Sequence, residues 1–236
     1  MLDKSSLDRL LEELVRYKAQ IPVPDEYKWQ IPDNPPIRIP DEIQGSYERN
    51  IYLKENLKNV LTTDSGLNAH YWIIREWGGI RSFKQSDRND TILSEFTASL
   101  TKGRLKRTHF NLISSLSKVA SFKDPDKFAI YDSRSVYALN WLLFRNTDDR
   151  LLFPQPLGRS RALAEFDLKT IFRLSRIPHA YREYQMAYFE YCALLQHLSE
   201  VVYGDARPCH VEMLLFLIAP EYTVEDIRRS VTVSIN

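Results

Sequence analysis

The sequence has 236 residues, of which 44% are hydrophobic, and a formal net charge of +1. It is long enough to bury a substantial core, and its composition is that of an ordinary globular protein. Its apolar runs are shorter than the roughly 20 residues that a membrane-spanning helix needs, and residues 1–20 are charged and amphipathic. We therefore expect no membrane association and a cytoplasmic location.

The pattern of the chain predicts an all-α fold with two parts. Only 7 glycines are present, and long alternation of apolar and polar residues is absent from the sequence. Residues 1–40 read as an N-terminal helix followed by a proline-rich strap, and residues 41–236 as a multi-helix domain. The helix is indicated by leucines at helical spacing and the strap by six prolines: Leu7, Leu10, Leu11 and Leu14, then Pro22, Pro24, Pro32, Pro35, Pro36 and Pro40.

Further helices are predicted in the second part. Gly78 and Gly79 end one of them, and residues 146–159 read as a loop because they contain prolines, a glycine and paired aspartates. A helix that carries Lys118 is followed by a break at Pro125, and Asp132 then opens the next helix. The predicted helices cover about 51–61, 67–77, 89–100, 112–122, 132–144, 161–176, 178–203, 208–219 and 224–229.

The two cysteines, Cys192 and Cys209, lie in apolar surroundings and favour reduced thiols over a disulfide. Together with His197 and His210 they suggest a zinc site as an alternative, but the spacing matches no common ligand pattern. We expect no metal and no cofactor.

Charge is distributed unevenly along the chain. Residues 100–182 hold 16 Lys and Arg against 7 Asp and Glu, a net of +9, which leaves −8 for the remainder. Such segregation favours a face that binds a polyanion, and double-stranded DNA is the expected partner. The alternative is that these charges lie on solvated helix faces and are balanced by acidic neighbours.

Residues 114–144, SSLSKVASFKDPDKFAIYDSRSVYALNWLLF, contain a lysine in one apolar helix and an aspartate at the start of the next. This segment resembles the catalytic region of the helix-hairpin-helix base-excision DNA glycosylases, in which a lysine and an aspartate face a flipped nucleotide. Ser117-Lys118 and the sequence from Ile130 to Arg134 stand in those places. Serines and a leucine replace the hairpin glycines of that family, and the interval from lysine to aspartate is shorter.

The resemblance implies catalytic roles for Asp132 and Lys118. Breaking a base–sugar bond builds positive charge on the sugar, which a fixed carboxylate stabilises, and an amine can displace the base and form a Schiff base. The alternatives are an N-cap for Asp132 and a solvated lysine or phosphate contact for Lys118.

A flipped base needs flat side chains around it. Candidates for this base pocket are Tyr131, Tyr137, Trp141, Trp77 and Arg81, although the aromatic residues would serve equally well in a core.

Cations that could bind DNA phosphates lie on both sides of this region. We name Lys102, Arg104, Lys106 and Arg107 the basic loop, and expect Arg134, Arg159 and Arg161 to extend it.

The sequence as a whole predicts a DNA glycosylase that removes a flipped, modified base, in repair or in defence against phage. Arg104 and His109 also fit the R-x4-H signature of helical RNases of the HEPN type, which is one alternative. A second alternative is a non-catalytic DNA-binding protein on a glycosylase-like scaffold.

Overall fold

A computed structural model describes residues 2–158 and 160–232, and confirms the predicted all-α fold. The helices are α1 (Lys4–Gln20), α2 (Val23–Glu26), α3 (Ser46–Asn56), α4 (Lys58–Thr63), α5 (Asn68–Trp72), α6 (Asp87–Lys102), α7 (Arg107–Asn111), α8 (Ile113–Lys123), α9 (Ser133–Asn146), α10 (Arg161–Ala164), α11 (Leu168–Leu174), α12 (Tyr184–Tyr203), α13 (Cys209–Ile218) and α14 (Val224–Ser230).

Two π-helical turns and two very short strands complete the described structure. The π-helical turns Ile73–Trp77 and Ala219–Thr223 continue α5 and α13. The strands β1 (Leu151–Leu152) and β2 (Ala180–Tyr181) pair in parallel, with Leu151 opposite Ala180. This pairing ties the loop after α9 to the segment that leads into α12.

Several predicted helices are divided or shortened in the structure. The predicted helix at 51–61 is two helices that meet at Leu57. The predicted helix at 161–176 is interrupted before Asp167, whose carboxylate accepts a hydrogen bond from the Thr170 amide and starts α11. Residues 178–183 precede α12 instead of belonging to it, since they contain β2.

The core is built around α9 and α13, which pack on each other. The apolar face of α1 belongs to the same core, with Leu10 and Leu14 fully buried. The proline-rich strap is attached to the body by aromatic side chains, because Tyr27 is buried and Trp29 Nε1 donates to the Trp77 carbonyl oxygen at 3.1 Å. Both α1 and the strap are thus packed against the rest of the fold.

Among the helices of the described residues, none combines the length and the apolar character required to cross a bilayer.

Candidate active site

The segment between α8 and α9 fixes the positions of the two candidate catalytic residues. Tyr188 and Tyr191 of α12 donate their hydroxyls to the carbonyl oxygens of Ala129 and Ile130, each at 3.0 Å. The Tyr131 amide donates to Ser117 Oγ at 2.9 Å, which joins this segment to α8 one residue before Lys118. These contacts fix residues 129–131 and bring the N-terminus of α9 beside α8.

Lys118 and Asp132 consequently line one cavity of about 1020 Å³. The cavity lies between the turn after Trp77, helix α7, the start of α9 and the loop after β1. Its remaining lining residues are Gly78, Gly79, Ile80, Ser82, Arg107, Phe110, Asn111, Leu112, Ser114, Ser115, Ser133, Pro154, Gln155, Pro156, Leu157, Gly158, Arg182, Glu183 and Tyr184.

Asp132 is both a helix cap and a cavity residue. Its Oδ1 accepts a hydrogen bond from the Arg134 amide at 2.7 Å, so the carboxylate is held at the N-terminus of α9. The carboxylate therefore lies at the positive end of the helix dipole. The N-cap alternative from the sequence is therefore confirmed, and it gives the carboxylate a fixed orientation in the cavity.

Lys118 reaches the cavity from a largely buried position. Lys118 is only 6% exposed, and its ammonium donates to the Ser114 carbonyl oxygen at 2.7 Å. Burial lowers the pKa of Lys118 below its ordinary value, although the negative charges of Asp132 and Glu212 oppose that shift. A lowered pKa increases the fraction of the free amine, which is the nucleophilic form.

Gly78 makes room for the Lys118 side chain. A Cβ atom at Gly78 would lie 2.6 Å from Lys118 Cδ and 2.8 Å from the Ile74 carbonyl oxygen, closer than non-bonded atoms allow. Gly79 adopts a positive φ of 66°, and a Cβ atom added there would meet nothing within 4 Å. The two adjacent glycines thus serve different purposes, close approach at Gly78 and a left-handed turn at Gly79.

The loop after β1 forms another wall of the cavity. The Asn140 side chain anchors it with two hydrogen bonds to the backbone of Phe153, each 2.8 Å long. A Cβ atom at Gly158 would lie 2.6 Å from Ser133 Cβ, so a side chain there would not fit against α9. Leu157, at the cavity, is fully exposed.

Two arginines stacked on aromatic rings stand at the cavity. The guanidinium of Arg107 lies 4.8 Å from the ring centroid of Tyr184, and that of Arg182 lies 4.7 Å from that of Phe153. The Phe110 ring lies next to Tyr184, with 6.2 Å between ring centroids. Cations and flat rings at one opening suit a ligand that combines a phosphate with a base.

The residues predicted for the base pocket do not line this cavity. Four of them are large aromatic side chains that are buried in the core, and Arg81 is exposed but does not line the cavity. The polar atoms of the four are satisfied within the core, by hydrogen bonds from Tyr131 to Pro154, from Tyr137 to Phe166, from Trp141 to Asp226 and from Trp77 to Asn50. The aromatic rings at the cavity are Phe110 and Tyr184, which the sequence did not single out.

The basic loop lies beside the cavity, but its members differ in their surroundings. All four side chains are exposed, Arg107 lines the cavity, and the Lys106 ammonium pairs with Glu95 Oε2 at 2.8 Å. Arg134 stacks on Phe216, with 4.7 Å from guanidinium to ring centroid, and Arg161 is exposed at the start of α10. Arg159 lies outside the described residues.

His109, required by the RNase alternative, is fully buried and does not line the cavity. Burial also lowers its pKa. Arg104 is exposed, so the two residues of the R-x4-H pattern do not meet at a common open site.

The alternative zinc set is not assembled. Cys192 and Cys209 are buried free thiols, His210 is bonded to Tyr47 and Asp205, and His197 is exposed. The described part of the chain contains no group of three or more His, Cys, Asp or Glu side chains arranged to hold a metal ion.

Comparisons with family models, with curated proteins and with solved structures find no match to this chain. Its function is therefore inferred from the chemistry of the site.

Proposed function

We propose that the protein is a DNA glycosylase that flips a base out of double-stranded DNA and cleaves its N-glycosidic bond. The observation that supports this most directly is that Lys118 and Asp132 line one cavity, although 14 positions separate them in the sequence. An oriented carboxylate can support base excision with water, and an amine in the same cavity adds a covalent route.

Asp132 stabilises the positive charge that develops on the deoxyribose as the base departs. Because its carboxylate is already held by the Arg134 amide, it needs little reorganisation during the reaction. The same carboxylate can orient a water molecule that attacks the sugar.

Lys118 supplies a second route. Its free amine attacks C1′, a nitrogen–carbon bond forms, and the base leaves with the electron pair of the broken C1′–N bond. The attached nitrogen then loses a proton, and opening of the sugar ring gives a Schiff base. Burial lowers the pKa of Lys118, which favours this route because a larger fraction of the free amine is then present nearer neutral pH.

The surroundings suit a flipped nucleotide. Phe110 and Tyr184 offer flat surfaces against which a base can stack, and Arg107 offers a cation for the adjoining phosphate. The basic loop continues this positive surface beside the cavity. A modified base, as in phage DNA, is the substrate class that the resemblance to helix-hairpin-helix glycosylases suggests.

Asp132→Asn tests the proposal, because it keeps the shape and the capping oxygen but removes the charge. Base excision, measured as abasic-site formation in duplex DNA that carries a panel of modified bases, should fall by about 10²-fold or more while DNA binding persists. Asp167→Asn is a matched control, since Asp167 also caps a helix but does not line the cavity. If Asp132→Asn excises bases at the wild-type rate, Asp132 serves only as a helix cap and the proposal is wrong.

Lys118→Ala then separates the two routes. Loss of the adduct that borohydride traps between enzyme and DNA, with excision retained, assigns Lys118 to strand cleavage alone. Loss of both adduct and excision assigns it to the displacement of the base.

A further inference from the structure

The segment 168–182 carries positive charge and exposed apolar side chains together. It contains no Asp or Glu, and its cations are Lys169, Arg173, Arg176 and Arg182. Three of the large hydrophobic side chains that stay exposed also lie here, namely Leu174, Ile177 and Tyr181. Single exposed hydrophobic residues are common, but a group of them among cations is the pattern expected of a surface that binds another molecule.

An aromatic cluster packs the end of α9 against this segment. The rings of Phe144 and Phe172 stack with 4.2 Å between their centroids. The His179 ring lies 6.2 Å from that of Phe144 and 5.8 Å from that of Phe172. Since these two phenylalanines directly precede Arg145 and Arg173, both of which are exposed, the stacking brings the two arginines to one side of the fold.

Arg150 joins the same side of the fold through β1. Its Nε donates to the Phe144 carbonyl oxygen at 3.3 Å, and its guanidinium lies 5.8 Å from the centroid of that ring. Its own carbonyl oxygen accepts a hydrogen bond from the Ala180 amide at 3.2 Å. We call the four arginines that these contacts bring together the arginine surface: Arg145, Arg150, Arg173 and Arg176.

The charges of the arginine surface are not neutralised within the described part of the chain. None of its four side chains makes an ion pair with a described carboxylate. Asp148, which is close by in the sequence, pairs with Arg9 at 3.1 Å, and Arg150 Nη1 donates to the Asp148 carbonyl oxygen instead of its carboxylate. Arginines without carboxylate partners suit the phosphates of nucleic acid.

The two short strands connect the arginine surface to the cavity. Because β1 and β2 are parallel, both lead from this surface in the same direction. The cavity residue Pro154 follows two positions after Leu152, and the cavity residue Arg182 directly follows Tyr181. A ligand in the cavity can therefore continue along the strands onto the arginine surface.

The length of these connections sets the distance between the two regions. Four residues lead from Arg150 to Pro154 and six from Arg176 to Arg182. An extended chain covers about 13 and 20 Å at most over these lengths. Along duplex DNA, in which each strand carries one phosphate per about 3.4 Å, such distances correspond to roughly four to six base pairs.

We infer that the arginine surface binds the backbone of duplex DNA on one side of the nucleotide that enters the cavity. The inference rests on the proposed function for the place of that nucleotide, whereas the binding of DNA by this surface does not require excision. The basic loop borders the cavity at α7 and the arginine surface borders it through β1 and β2, so the two surfaces contact separate stretches of the DNA.

Binding of the full-length protein to duplex DNA over a range of salt concentrations tests this surface. The probe is a duplex with a central tetrahydrofuran, a stable analogue of an abasic site, which contains no bond to be excised at that position. Arg173→Gln/Arg176→Gln removes two charges from exposed side chains. It should weaken binding and reduce the slope of log K against log salt by about 1.8, since each lost phosphate contact contributes about 0.9.

Arg16→Gln/Arg38→Gln is the matched control, because it removes the same charge from exposed arginines of α1 and the strap. Its slope should equal that of the wild type. An unchanged slope in Arg173→Gln/Arg176→Gln, or an equal fall in both double variants, overturns the inference. If thermal unfolding shows that Arg173→Gln/Arg176→Gln does not fold, Arg145→Gln decides in its place, with an expected fall of about 0.9 and refutation by an unchanged slope.

The position of the contact is measured with duplexes in which single phosphates are replaced by neutral methylphosphonates. Replacement within roughly four to six base pairs of the tetrahydrofuran, on one side, should weaken binding of the wild type and have a smaller effect on Arg173→Gln/Arg176→Gln. Equal effects on both proteins at every phosphate contradict the inference.

An anionic membrane is the other partner that cations with exposed apolar side chains would suit. Vesicles of phosphatidylserine and phosphatidylcholine are therefore tested with the same variants. Vesicle binding that Arg173→Gln/Arg176→Gln loses, with an unchanged DNA slope, assigns the surface to lipid and refutes the inference.

Base excision by the wild type is measured separately. A fall in slope that is specific to Arg173→Gln/Arg176→Gln, in a protein that excises no base, refutes the glycosylase proposal and supports the DNA surface. Excision together with an unchanged slope refutes the DNA surface alone.

Discussion

Gly78→Ala tests how closely the Lys118 side chain is held. The new methyl group would lie 2.6 Å from Lys118 Cδ and 2.8 Å from both Lys118 Cε and the Ile74 carbonyl oxygen. The lysine cannot move freely, because its ammonium is bonded to Ser114 and its stem is buried. Overpacking of this kind costs about 1–3 kcal/mol, which lowers the melting temperature of a domain of this size by roughly 2–12 °C.

Two measurements distinguish displacement of Lys118 from general loss of stability. Thermal unfolding gives the stability, and acetic anhydride labelling of Lys118 at about 20 °C or more below the melting temperature reports its accessibility. In Gly78→Ala we expect a lower melting temperature together with a change in the labelling of Lys118, because the clash moves the lysine out of its position. Gly79→Ala is the control, since it should lower the free energy of unfolding by roughly 1–2 kcal/mol through backbone strain at positive φ alone. Its Cβ meets nothing within 4 Å, so the labelling of Lys118 should stay that of the wild type. Wild-type stability and labelling in Gly78→Ala would refute the close contact.

The other predictions concern salt and pH. Replacing Lys102, Arg104 and Arg107 with alanine should weaken duplex binding and reduce the slope of log K against log salt by about 0.9 for each phosphate that the variant no longer neutralises, in titrations over a range of salt concentrations. Lys106→Ala should change that slope less, since Lys106 is already paired with Glu95, and an equal effect would contradict this assignment. Burial lowers the pKa of His70, His109 and His210, so the unfolded chain binds protons first as the pH falls. Stability should therefore decline as the pH falls through about 6.5 towards the lower pKa values of the folded state, as measured by urea unfolding at pH 7 and pH 5; equal stability at both would show that these pKa shifts are absent.

The fold class and the placement of Lys118 and Asp132 on successive helices follow from local patterns. Helical spacing of apolar residues, the break at Pro125 and the capping preference of Asp132 are properties of neighbouring residues, and each is confirmed. The helix end at Gly78 and Gly79 was also predicted and is confirmed, whereas the close approach of Lys118 to Gly78 was not predicted.

The residues that form the cavity wall could not be predicted from the sequence, because their positions depend on packing between distant segments. The aromatic residues around Asp132 were expected at the site, but the same apolar face that makes them conspicuous directs them into the core. Phe110 and Tyr184 come from separate helices, and nothing in either local sequence indicates that they meet. Lys54 and Glu212 were not singled out in the sequence, and their burial on α3 and α13 depends on how these helices pack into the core. A charged residue in an otherwise apolar helix is the signal that would have identified Glu212.

The cavity forms late during synthesis, because it depends on the hydrogen bonds from Tyr188 and Tyr191 to residues 129 and 130. The donors stand 59 and 61 residues after their acceptors, so the ribosome must complete most of α12 before the segment that precedes Asp132 can be fixed. Closing contacts of such long range comes after the formation of local helices. The Asp132 carboxylate and the Lys118 amine are thus aligned only when the C-terminal half of the chain has folded.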